Sequence, residues 1–314
     1  MNYYAGVDLG GTNIKAGIVD ESGKVVCKDL TPTNAGRPYQ EVIKDIADLL
    51  NKVIAKSGID KSAIKSIGVG NPGTCDIPNG IVIYASNIDF YNVPMRDEMH
   101  KYFDVPVYID NDANCAALGE FYALDGDVSD MVFITLGTGV GGGIIINKRL
   151  YTGYNGTAAE FGHMMLKQGG IECSCGTKGC WENYASVTAL IRITKEYAEK
   201  YPDSAVAERC KDGVSGRTAF EMAKMGDSGA KSIVDEWIGY VATGVVSVIN
   251  LFQPQYVVIG GAISKEGNYL LDPIRAHQMK NAYSQIPNHT QIAVAKLGND
   301  AGLVGSAFLG KGEI

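Results

Sequence analysis

The chain has 314 residues, of which 46% are hydrophobic, and its 28 basic and 35 acidic side chains give a net charge of −7. The length suits two domains with well-buried cores, and the acidic balance argues against nucleic acid or an anionic membrane as the main partner. The N-terminal residues show no basic region followed by an apolar run, and no uninterrupted apolar run approaches about eighteen residues. We therefore expect a cytoplasmic protein without a secretory signal or a membrane span.

Two strand–turn–strand units with glycine-rich turns lie about half a chain apart. The first has predicted strands over Tyr3–Val7 and Ile14–Val19, joined by the turn Asp8-Leu9-Gly10-Gly11-Thr12-Asn13. The second has predicted strands over Met131–Thr135 and Gly143–Ile146, joined by the turn Gly137-Thr138-Gly139-Val140-Gly141-Gly142. This repetition predicts a duplicated architecture with one unit in each domain.

The second turn matches the G-x-G-x-x-G pattern of dinucleotide-binding proteins, but the segment after it does not fit that interpretation. That pattern needs a helix directly after the turn, whereas Ile144-Ile145-Ile146 indicates a strand. The backbone N–H groups of such turns can instead bind a polyphosphate. One turn alone would indicate a plain hairpin, but the pair, with Asp8, Thr12, Thr135 and Thr138 nearby, favours a nucleotide.

Asp112 lies between the predicted strand Val105–Ile109 and the predicted helix Ala113–Leu124. Ligands of α/β sheets bind at the carboxyl ends of strands, where a carboxylate can accept a proton from an attacking hydroxyl. An aspartate in this position also commonly caps the following helix, and local sequence alone favours that role. Asp110 is an equal candidate for the base on local sequence.

A candidate metal site follows, with one histidine and three cysteines inside residues 163–180. One imidazole and three thiolates form a closed tetrahedral set that suits structural Zn²⁺. The alternative is a group of buried thiols or a disulfide, which a reducing compartment disfavours. We expect the other four cysteines to be buried free thiols. The predicted ligands are His163, Cys173, Cys175 and Cys180, and the predicted free thiols are Cys27, Cys75, Cys115 and Cys210.

The remaining predicted elements are mostly helical. Pro38–Gly58 shows strong helical periodicity, and Ala230–Phe252 is apolar on most faces, which is typical of a core helix or a partner surface. The strand Tyr256–Ile259 ends at Gly260-Gly261. Further strands are predicted over Ile64–Val69, Gly80–Tyr84 and Gln291–Ala295. Pro202–Thr218 is predicted to be irregular, and further helices are predicted over Asp97–Tyr102, Tyr184–Tyr201, Arg217–Lys224, Tyr269–Tyr283 and Leu303–Leu309.

Taken together, the motifs resemble the ROK family of sugar kinases, a branch of the actin-like/hexokinase-like ATPases, and within it the bacterial glucokinases most. The resemblance covers almost the whole chain. It rests on Asp8-Leu9-Gly10-Gly11-Thr12, Asn71-Pro72-Gly73, Asp110-Asn111-Asp112, Gly137-Thr138-Gly139, Glu160-Phe161-Gly162-His163 and Cys173-x-Cys175-Gly176-x-x-Gly179-Cys180-x-Glu182. Ala159 departs from the family, in which glycine is usual before the glutamate.

The resemblance implies a two-domain α/β fold of the ribonuclease H-like type, with ATP and Mg²⁺ in an interdomain cleft. The expected domains are residues 1–112, to which the helix at 301–314 returns, and residues 113–300, which carry the zinc motif. Asp112 matches the catalytic base. The sugar would bind Gly73, Asn87, Asn111, Asp112, Glu160, His163 and Glu182. The nucleotide would bind Asp8, Gly10, Gly11, Thr12, Lys15, Thr135, Gly137, Thr138, Gly139, Gly260 and Gly261.

The implied activity is ATP-dependent phosphorylation of a hexose at its C6 hydroxyl, with glucose as the first choice of substrate. N-acetylmannosamine, N-acetylglucosamine, allose and fructose are the alternatives. His163 would bind zinc through one ring nitrogen and face the sugar through the other. A sugar-responsive repressor of the same family would need an N-terminal DNA-binding domain, for which the strand at Tyr3 leaves no room. A zinc-stabilised binding module would not need the glycine turns. A dimer or tetramer is expected.

Overall fold

The computed structural model describes residues 1–283 and 289–311. Thirteen strands are assigned within these residues. They are β1 (Tyr3–Leu9), β2 (Asn13–Asp20), β3 (Val25–Pro32), β4 (Ile64–Asn71), β5 (Thr74–Asp76), β6 (Ile81–Ala85), β7 (Phe90–Val93), β8 (Val107–Asn111), β9 (Met131–Leu136), β10 (Val140–Ile146), β11 (Arg149–Leu150), β12 (Tyr256–Gly260) and β13 (Gln291–Val294).

Ten α-helices are assigned in the same residues. They are α1 (Tyr39–Ser57), α2 (Met95–His100), α3 (Asp112–Tyr122), α4 (Glu182–Ala185), α5 (Val187–Lys200), α6 (Ala205–Cys210), α7 (Thr218–Lys224), α8 (Ser228–Phe252), α9 (Asn268–Asn281) and α10 (Ala301–Ala307). Short 3₁₀ turns occur at Lys61–Ala63, Phe161–His163, Ala262–Glu266, Gly298–Asp300 and Phe308–Gly310.

Two five-stranded sheets share one strand order. The first runs β3-β2-β1-β4-β8 and the second runs β11-β10-β9-β12-β13. In the first sheet, β1–β2 and β2–β3 pair antiparallel, whereas β1–β4 and β4–β8 pair parallel. In the second, β12 pairs parallel with both β9 and β13. The common order confirms the duplicated architecture that the two glycine turns predict. A small antiparallel sheet, β5-β6-β7, completes the strand pairing.

The described residues divide into two compact units. The first contains residues 1–130, 143–159 and the chain from Lys296, and the second contains residues 131–142 and those from Glu160 to Ala295. This division differs from the expected boundary after residue 112, because α3 packs tightly on α10 in the first unit. A Cβ on Gly119 would lie 2.2 Å from the carbonyl oxygen of Ala301, and one on Gly305 would lie 1.6 Å from that of Cys115. Glycine at both positions lets the two backbones touch.

Helix α8 is the core helix of the second unit. By length and composition it is the single helix in residues 1–283 and 289–311 that is apolar enough to cross a membrane, and 61% of its most apolar window is buried inside the protein. It packs against α5, α7 and α9, and most of its apolar side chains, Trp237 among them, are buried, whereas Leu251 near its C-terminus is exposed. Packing within the unit therefore accounts for its apolar faces.

Some sequence predictions are wrong in detail. The helix predicted over Tyr184–Tyr201 is broken at Ser186, whose hydroxyl caps α5 by accepting from Ala189 N. The segment predicted as irregular contains α6, which Ser204 caps in the same way. The strands β3, β5, β7 and β11 were not predicted. Residues 312–314 of the segment expected to form the terminal helix lie outside the described residues.

Candidate active site

In the first unit, the carboxyl ends of three parallel strands bring the predicted site residues to one edge of the sheet. Asp8 on β1 pairs in register with Gly70 on β4, and Gly70 pairs with Asp110 on β8. Asn71 and Asn111 form the next pair. The first glycine turn, the loop at Gly73 and Asp112 therefore follow neighbouring strand ends, which is where α/β sheets bind ligands.

Main-chain contacts hold the first glycine turn, which carries Gly10, Gly11 and Thr12. Gly10 N donates to Asn13 O at 3.0 Å, and the buried Thr33 hydroxyl donates to Gly10 O at 2.6 Å. A Cβ on Gly11 would lie 3.4 Å from Asn87 Nδ2. The Asn87 side chain, a predicted sugar ligand, therefore lies directly against a predicted phosphate turn.

Asp8 and Lys15 form an ion pair beside this turn. Lys15 Nζ lies 3.3 Å from Asp8 Oδ2, and it also donates to the carbonyl oxygen of Asn299. The Asp8 carboxylate rests against Gly302, where a Cβ would lie 3.2 Å from Asp8 Cγ. A partly exposed pair of this kind adds little stability. It does present one carboxylate, the type of oxygen ligand that Mg²⁺ prefers, and one ammonium group at the strand ends.

The start of α3 separates the two roles that local sequence left open for Asp112. Asn111 is the N-cap residue, because its Oδ1 accepts from Ala113 N at 2.9 Å and from Asn114 N at 3.3 Å. Asp112 is the first helical residue and shares the Ala113 amide at 2.9 Å. The interpretation of Asp112 as the helix cap is therefore wrong, and its side chain is exposed to solvent.

Asp110 and Asp112 differ in what surrounds them. Asp110 is buried and accepts from Asn114 Nδ2 at 2.8 Å and from Asn111 N at 2.7 Å, which occupies its carboxylate. Burial raises the pKa of Asp110 to about 6. For Asp112, the protein around the carboxylate, followed by the negative charge of Asp8, raises the pKa to about 6. Of the two, only Asp112 combines a raised pKa with access to a ligand, as a general base requires.

Gly73 and Asn111 contact each other directly. Asn111 Nδ2 donates to Gly73 O at 3.0 Å. Gly73 has φ of +79°, and a Cβ there would lie 2.0 Å from Tyr84 O, so the position requires glycine. The structure thus gathers four predicted sugar-site residues, Gly73, Asn87, Asn111 and Asp112, in the first unit.

In the second unit, the predicted nucleotide residues also meet at strand ends. Thr135 on β9 pairs in register with Gly260 on β12. A Cβ on Gly260 would lie 2.5 Å from Phe133 Cζ. Gly261 has φ of +86°, and a Cβ there would lie 2.1 Å from Leu136 O. Close approach of backbone to neighbouring strands therefore explains both glycines.

The second glycine turn is held by residues that sequence reasoning did not single out. Gly137 N donates to Gly139 O at 3.0 Å, which closes the turn. The Val187 amide donates to Gly137 O at 2.9 Å, and the Thr188 hydroxyl donates to Thr138 O at 2.8 Å. The N-terminus of α5 thus fixes the turn from the carbonyl side. These contacts join residues about fifty positions apart, so they cannot be predicted from a local sequence pattern.

The predicted metal ligands converge in the same unit. One donor atom each from His163, Cys173, Cys175 and Cys180 lies within 4.8 Å of the other three. Cys173 Sγ lies 3.7 Å from His163 Nδ1, and Cys175 Sγ lies 3.6 Å from Cys180 Sγ. A tetrahedral zinc site with Zn–S bonds of about 2.3 Å separates its sulfurs by about 3.8 Å. The donor set and its spacing therefore fit Zn²⁺.

All seven cysteines are free thiols, so the disulfide alternative is wrong. Cys75 and Cys115 are buried as predicted, whereas Cys27 and Cys210 are half-buried. Burial raises the pKa of the Cys75 thiol to about 12, helped by the charges of Asp110 and Asp112. A thiol of this kind is inert at neutral pH.

Glu160 and Glu182 lie just before and just after the metal ligands in the chain, and Glu160 and His163 are exposed. Glu182 is half-buried, and its Oε2 accepts from Val140 N at 3.0 Å. Ala159, just before Glu160, has φ of +67°. A left-handed conformation of this kind favours glycine, which gives a physical reason for the glycine that is usual at this position in the resembled family.

Comparisons with known proteins agree with the sequence motifs. The family model described as ROK family matches residues 4–313. A glucokinase of Halalkalibacterium halodurans is 38% identical over 98% of this chain and 95% of its own length. A xylose repressor of Caldicellulosiruptor bescii is 31% identical over 96% of this chain and 76% of its own length.

A solved structure is similar over the whole fold. The ROK family glucokinase of Streptomyces griseus, in complex with glucose and AMPPNP, has a TM-score of 0.80 and is 36% identical, covering 98% of this chain and 99% of its own. This likeness, with the shared strand order of the two sheets, confirms the predicted actin-like α/β fold. The chain belongs to the ROK family.

Proposed function

We propose that this protein is an ATP-dependent hexose kinase that phosphorylates glucose at its C6 hydroxyl. The observation that carries the proposal is Asp112, an accessible carboxylate with a raised pKa at the carboxyl end of β8, in the same unit as the first glycine turn. Its relatives named glucokinase at up to 38% identity, over nearly their full length, support the same activity.

Asp112 would act as the general base. Its carboxylate accepts the proton of the C6 hydroxyl as that oxygen attacks the γ-phosphorus, and the bond to the β–γ bridging oxygen breaks to release ADP. With a pKa of about 6, Asp112 is mostly ionised at pH 7. We therefore expect kcat/KM to fall as the pH drops below about 6, which a pH profile of initial rates would measure.

The nucleotide would bind to the two glycine turns. Backbone N–H groups in such turns bind phosphate oxygens, and Lys15 would add a positive charge beside Asp8. The Asp8 carboxylate would hold Mg²⁺, which would neutralise phosphate charge when bound. The proposed nucleotide-binding residues are Asp8, Gly10, Gly11, Thr12, Lys15, Thr135, Gly137, Thr138, Gly139, Gly260 and Gly261.

The sugar would bind the polar side chains beside the metal cluster and at the strand ends of the first unit. With His163 Nδ1 turned toward Cys173 Sγ, its Nε2 is left to face a sugar hydroxyl, and bound zinc would fix this arrangement. Glu160 and Glu182 would accept hydrogen bonds from ring hydroxyls, which discriminates between epimers. The other proposed sugar-binding residues are Gly73, Asn87, Asn111 and Asp112.

We propose that the protein is cytoplasmic and forms a homo-oligomer, either a dimer or a tetramer. It includes no nucleic acid as a partner. The glucokinases are 34–38% identical to this chain, whereas the xylose repressors are 28–31% identical, so the kinase role agrees better with the degree of similarity. A sugar sensor that has kept the fold without the reaction is the competing function.

The test is sugar-stimulated ADP release by purified protein with Mg-ATP. Glucose would be compared with N-acetylmannosamine, N-acetylglucosamine, allose and fructose, with a reaction lacking sugar as the control. We expect the strongest stimulation with glucose. A strong response to a different sugar would change the substrate but keep the mechanism, and no response to any sugar in zinc-loaded protein would favour the sensor.

A further inference from the structure

Glu182 contacts the second glycine turn at two points. Its Oε2 accepts from the amide of Val140, the residue that follows Gly139, at 3.0 Å. A Cβ on Gly139 would lie 2.1 Å from the same oxygen and 3.0 Å from Glu182 Cδ. The carboxylate therefore lies directly on the turn, and the absence of a side chain at Gly139 leaves the space that it occupies.

This contact determines the direction of the turn's amides. A hydrogen bond between a carboxylate and a backbone N–H is charge-assisted and stronger than a neutral one. The Gly137 amide already donates to Gly139 O. The next held amide along the turn is that of Val140, which donates to Glu182 Oε2. The amides of Thr138 and Gly139 lie between these two bonds. A phosphate group would meet amides whose orientation is set in advance.

Glu182 is in turn fixed to the metal cluster. Cys180 comes shortly before it, and Trp181 N donates to Met164 O at 2.7 Å, next to His163. The Trp181 ring is fully buried, and its Nε1 donates to Tyr240 O on α8 at 2.8 Å. The backbone that carries Glu182 is therefore tied to two metal ligands on one side and to the core helix on the other.

The Glu160–His163 segment also packs against Val140 and Glu182. A Cβ on Gly162 would lie 2.3 Å from Val140 O and 3.4 Å from Glu182 Cβ. Phe161 packs on Gly142, where a Cβ would lie 2.4 Å from its ring. Within the second unit, Glu182, the segment that leads to the metal ligand His163 and the glycine turn thus meet around Val140.

We propose that Glu182 is a positioning residue for the nucleotide, through which the His163/Cys173/Cys175/Cys180 cluster sets the affinity for ATP and ADP as well as for the sugar. One oxygen of the carboxylate holds the turn, and Oε1 stays available for a sugar hydroxyl. The inference rests on the proposed function in taking residues 137–140 as a phosphate-binding turn.

The test compares three variants with the wild-type protein in the absence of sugar. Glu182→Ala removes the hydrogen bond to Val140 N, and Glu182→Gln keeps an oxygen that can accept it. Glu172→Ala is the matched control, because it removes an exposed carboxylate of the same loop that pairs with Lys178 instead. Two quantities are measured: amide hydrogen exchange of the peptide covering residues 137–140, and the Kd for Mg-ADP by calorimetry.

We expect Glu182→Ala to exchange faster in this peptide and to bind Mg-ADP about tenfold more weakly, whereas Glu182→Gln and Glu172→Ala stay close to wild type. Wild-type protein stripped of zinc by a chelator should behave like Glu182→Ala. Unchanged exchange and unchanged ADP affinity in Glu182→Ala would overturn the proposal. If wild-type protein binds no ADP, the proposed function fails, and the exchange rates alone still decide the role of Glu182.

Discussion

The two glycine turns occupy equivalent places in two sheets of the same strand order, but different chemistry holds them. In the first unit, an Asp8–Lys15 ion pair flanks the turn, and a Cβ on Gly11 would lie 3.4 Å from Asn87 Nδ2. In the second unit, Glu182 bonds to the amide of Val140, and its backbone is tied to a Cys₃His cluster.

The two units of this duplicated fold therefore differ in the chemistry that their residues can perform. The first unit carries Asp112, an accessible carboxylate with a raised pKa that suits proton transfer. The second unit carries a closed donor set with no open coordination position, which suits rigidity and not chemistry. We infer that the first unit supplies the reacting base and the second supplies a fixed frame for the substrates.

We expect the largest effect when one ligand of the metal cluster is removed. Cys175→Ser removes one of four ligands, and apparent free energies of structural zinc sites reach about 10–16 kcal/mol in small peptides. We expect the variant to lose bound zinc and its Tm to fall by about 10 °C or more. Elemental analysis and calorimetry measure both, with Cys210→Ser, a half-buried thiol outside the cluster, as the control. A zinc-free variant with a wild-type Tm would contradict the role of the metal.

The next effect separates chemistry from binding in the first unit. Asp112→Asn removes the base, so we expect kcat to fall by about 10²–10⁴-fold, whereas glucose binding measured by calorimetry persists. The control is Asp125→Asn, which changes a carboxylate that is 97% exposed and pairs with Lys296. Near wild-type turnover in Asp112→Asn would remove this residue from the mechanism and with it the asymmetry between the units.

A smaller effect concerns the buried Asp110. Its pKa rises from 3.8 to about 6 on folding, so the folded state binds the proton more tightly than the unfolded chain does. The stability that this proton provides is fully present below pH 3.8 and is lost as the pH rises to about 6. By pH 8 the buried charge costs about 3 kcal/mol.

Asp110→Asn removes that charge. We expect its free energy of unfolding, relative to wild type, to improve by about 2–3 kcal/mol between pH 4 and pH 8. Urea denaturation at both pH values measures this, and any packing defect of the asparagine cancels because it is common to both. A difference that does not change with pH would show that Asp110 is no harder to ionise in the fold than in the unfolded chain.

The smallest expected effect is a difference in stability between alanine substitutions in the two glycine turns. Alanine at 139 would displace Glu182, because its Cβ would lie 2.1 Å from Oε2, whereas alanine at 11 meets Asn87 at 3.4 Å. We expect Gly139→Ala to lose about 1.5 kcal/mol of stability, the lower end of the value of a hydrogen bond to a charged group, and Gly11→Ala to lose about 0.5 kcal/mol or less. Equal losses would mean that the turns are held alike.

The sequence was most informative where the partners are close along the chain or where the strand pattern repeats. The four metal ligands fall inside residues 163–180, so their spacing alone predicted the cluster that the structure forms. Alternating apolar residues and glycine turns predicted both hairpins, and the resemblance to the ROK family predicted the fold.

Contacts between distant residues could not be predicted from local patterns. Glu182 and Val140 are 42 positions apart, and α3 stays with the first unit because of glycine contacts to α10 near the chain end. The helix cap was misplaced by one residue, because Asn111 and Asp112 both carry an oxygen that can accept from the first helical amides. Only the backbone geometry of β8 decides between them.

The identity of the product formed from glucose and Mg-ATP decides whether this protein is a hexose 6-kinase. Phosphorus and proton NMR of the reaction mixture would locate the new phosphate ester, with Asp112→Asn as the paired sample. We expect glucose 6-phosphate and ADP in equal amounts from the wild-type protein and little of either from the variant. A phosphate on another hydroxyl, or ADP formed without any sugar phosphate, would contradict it.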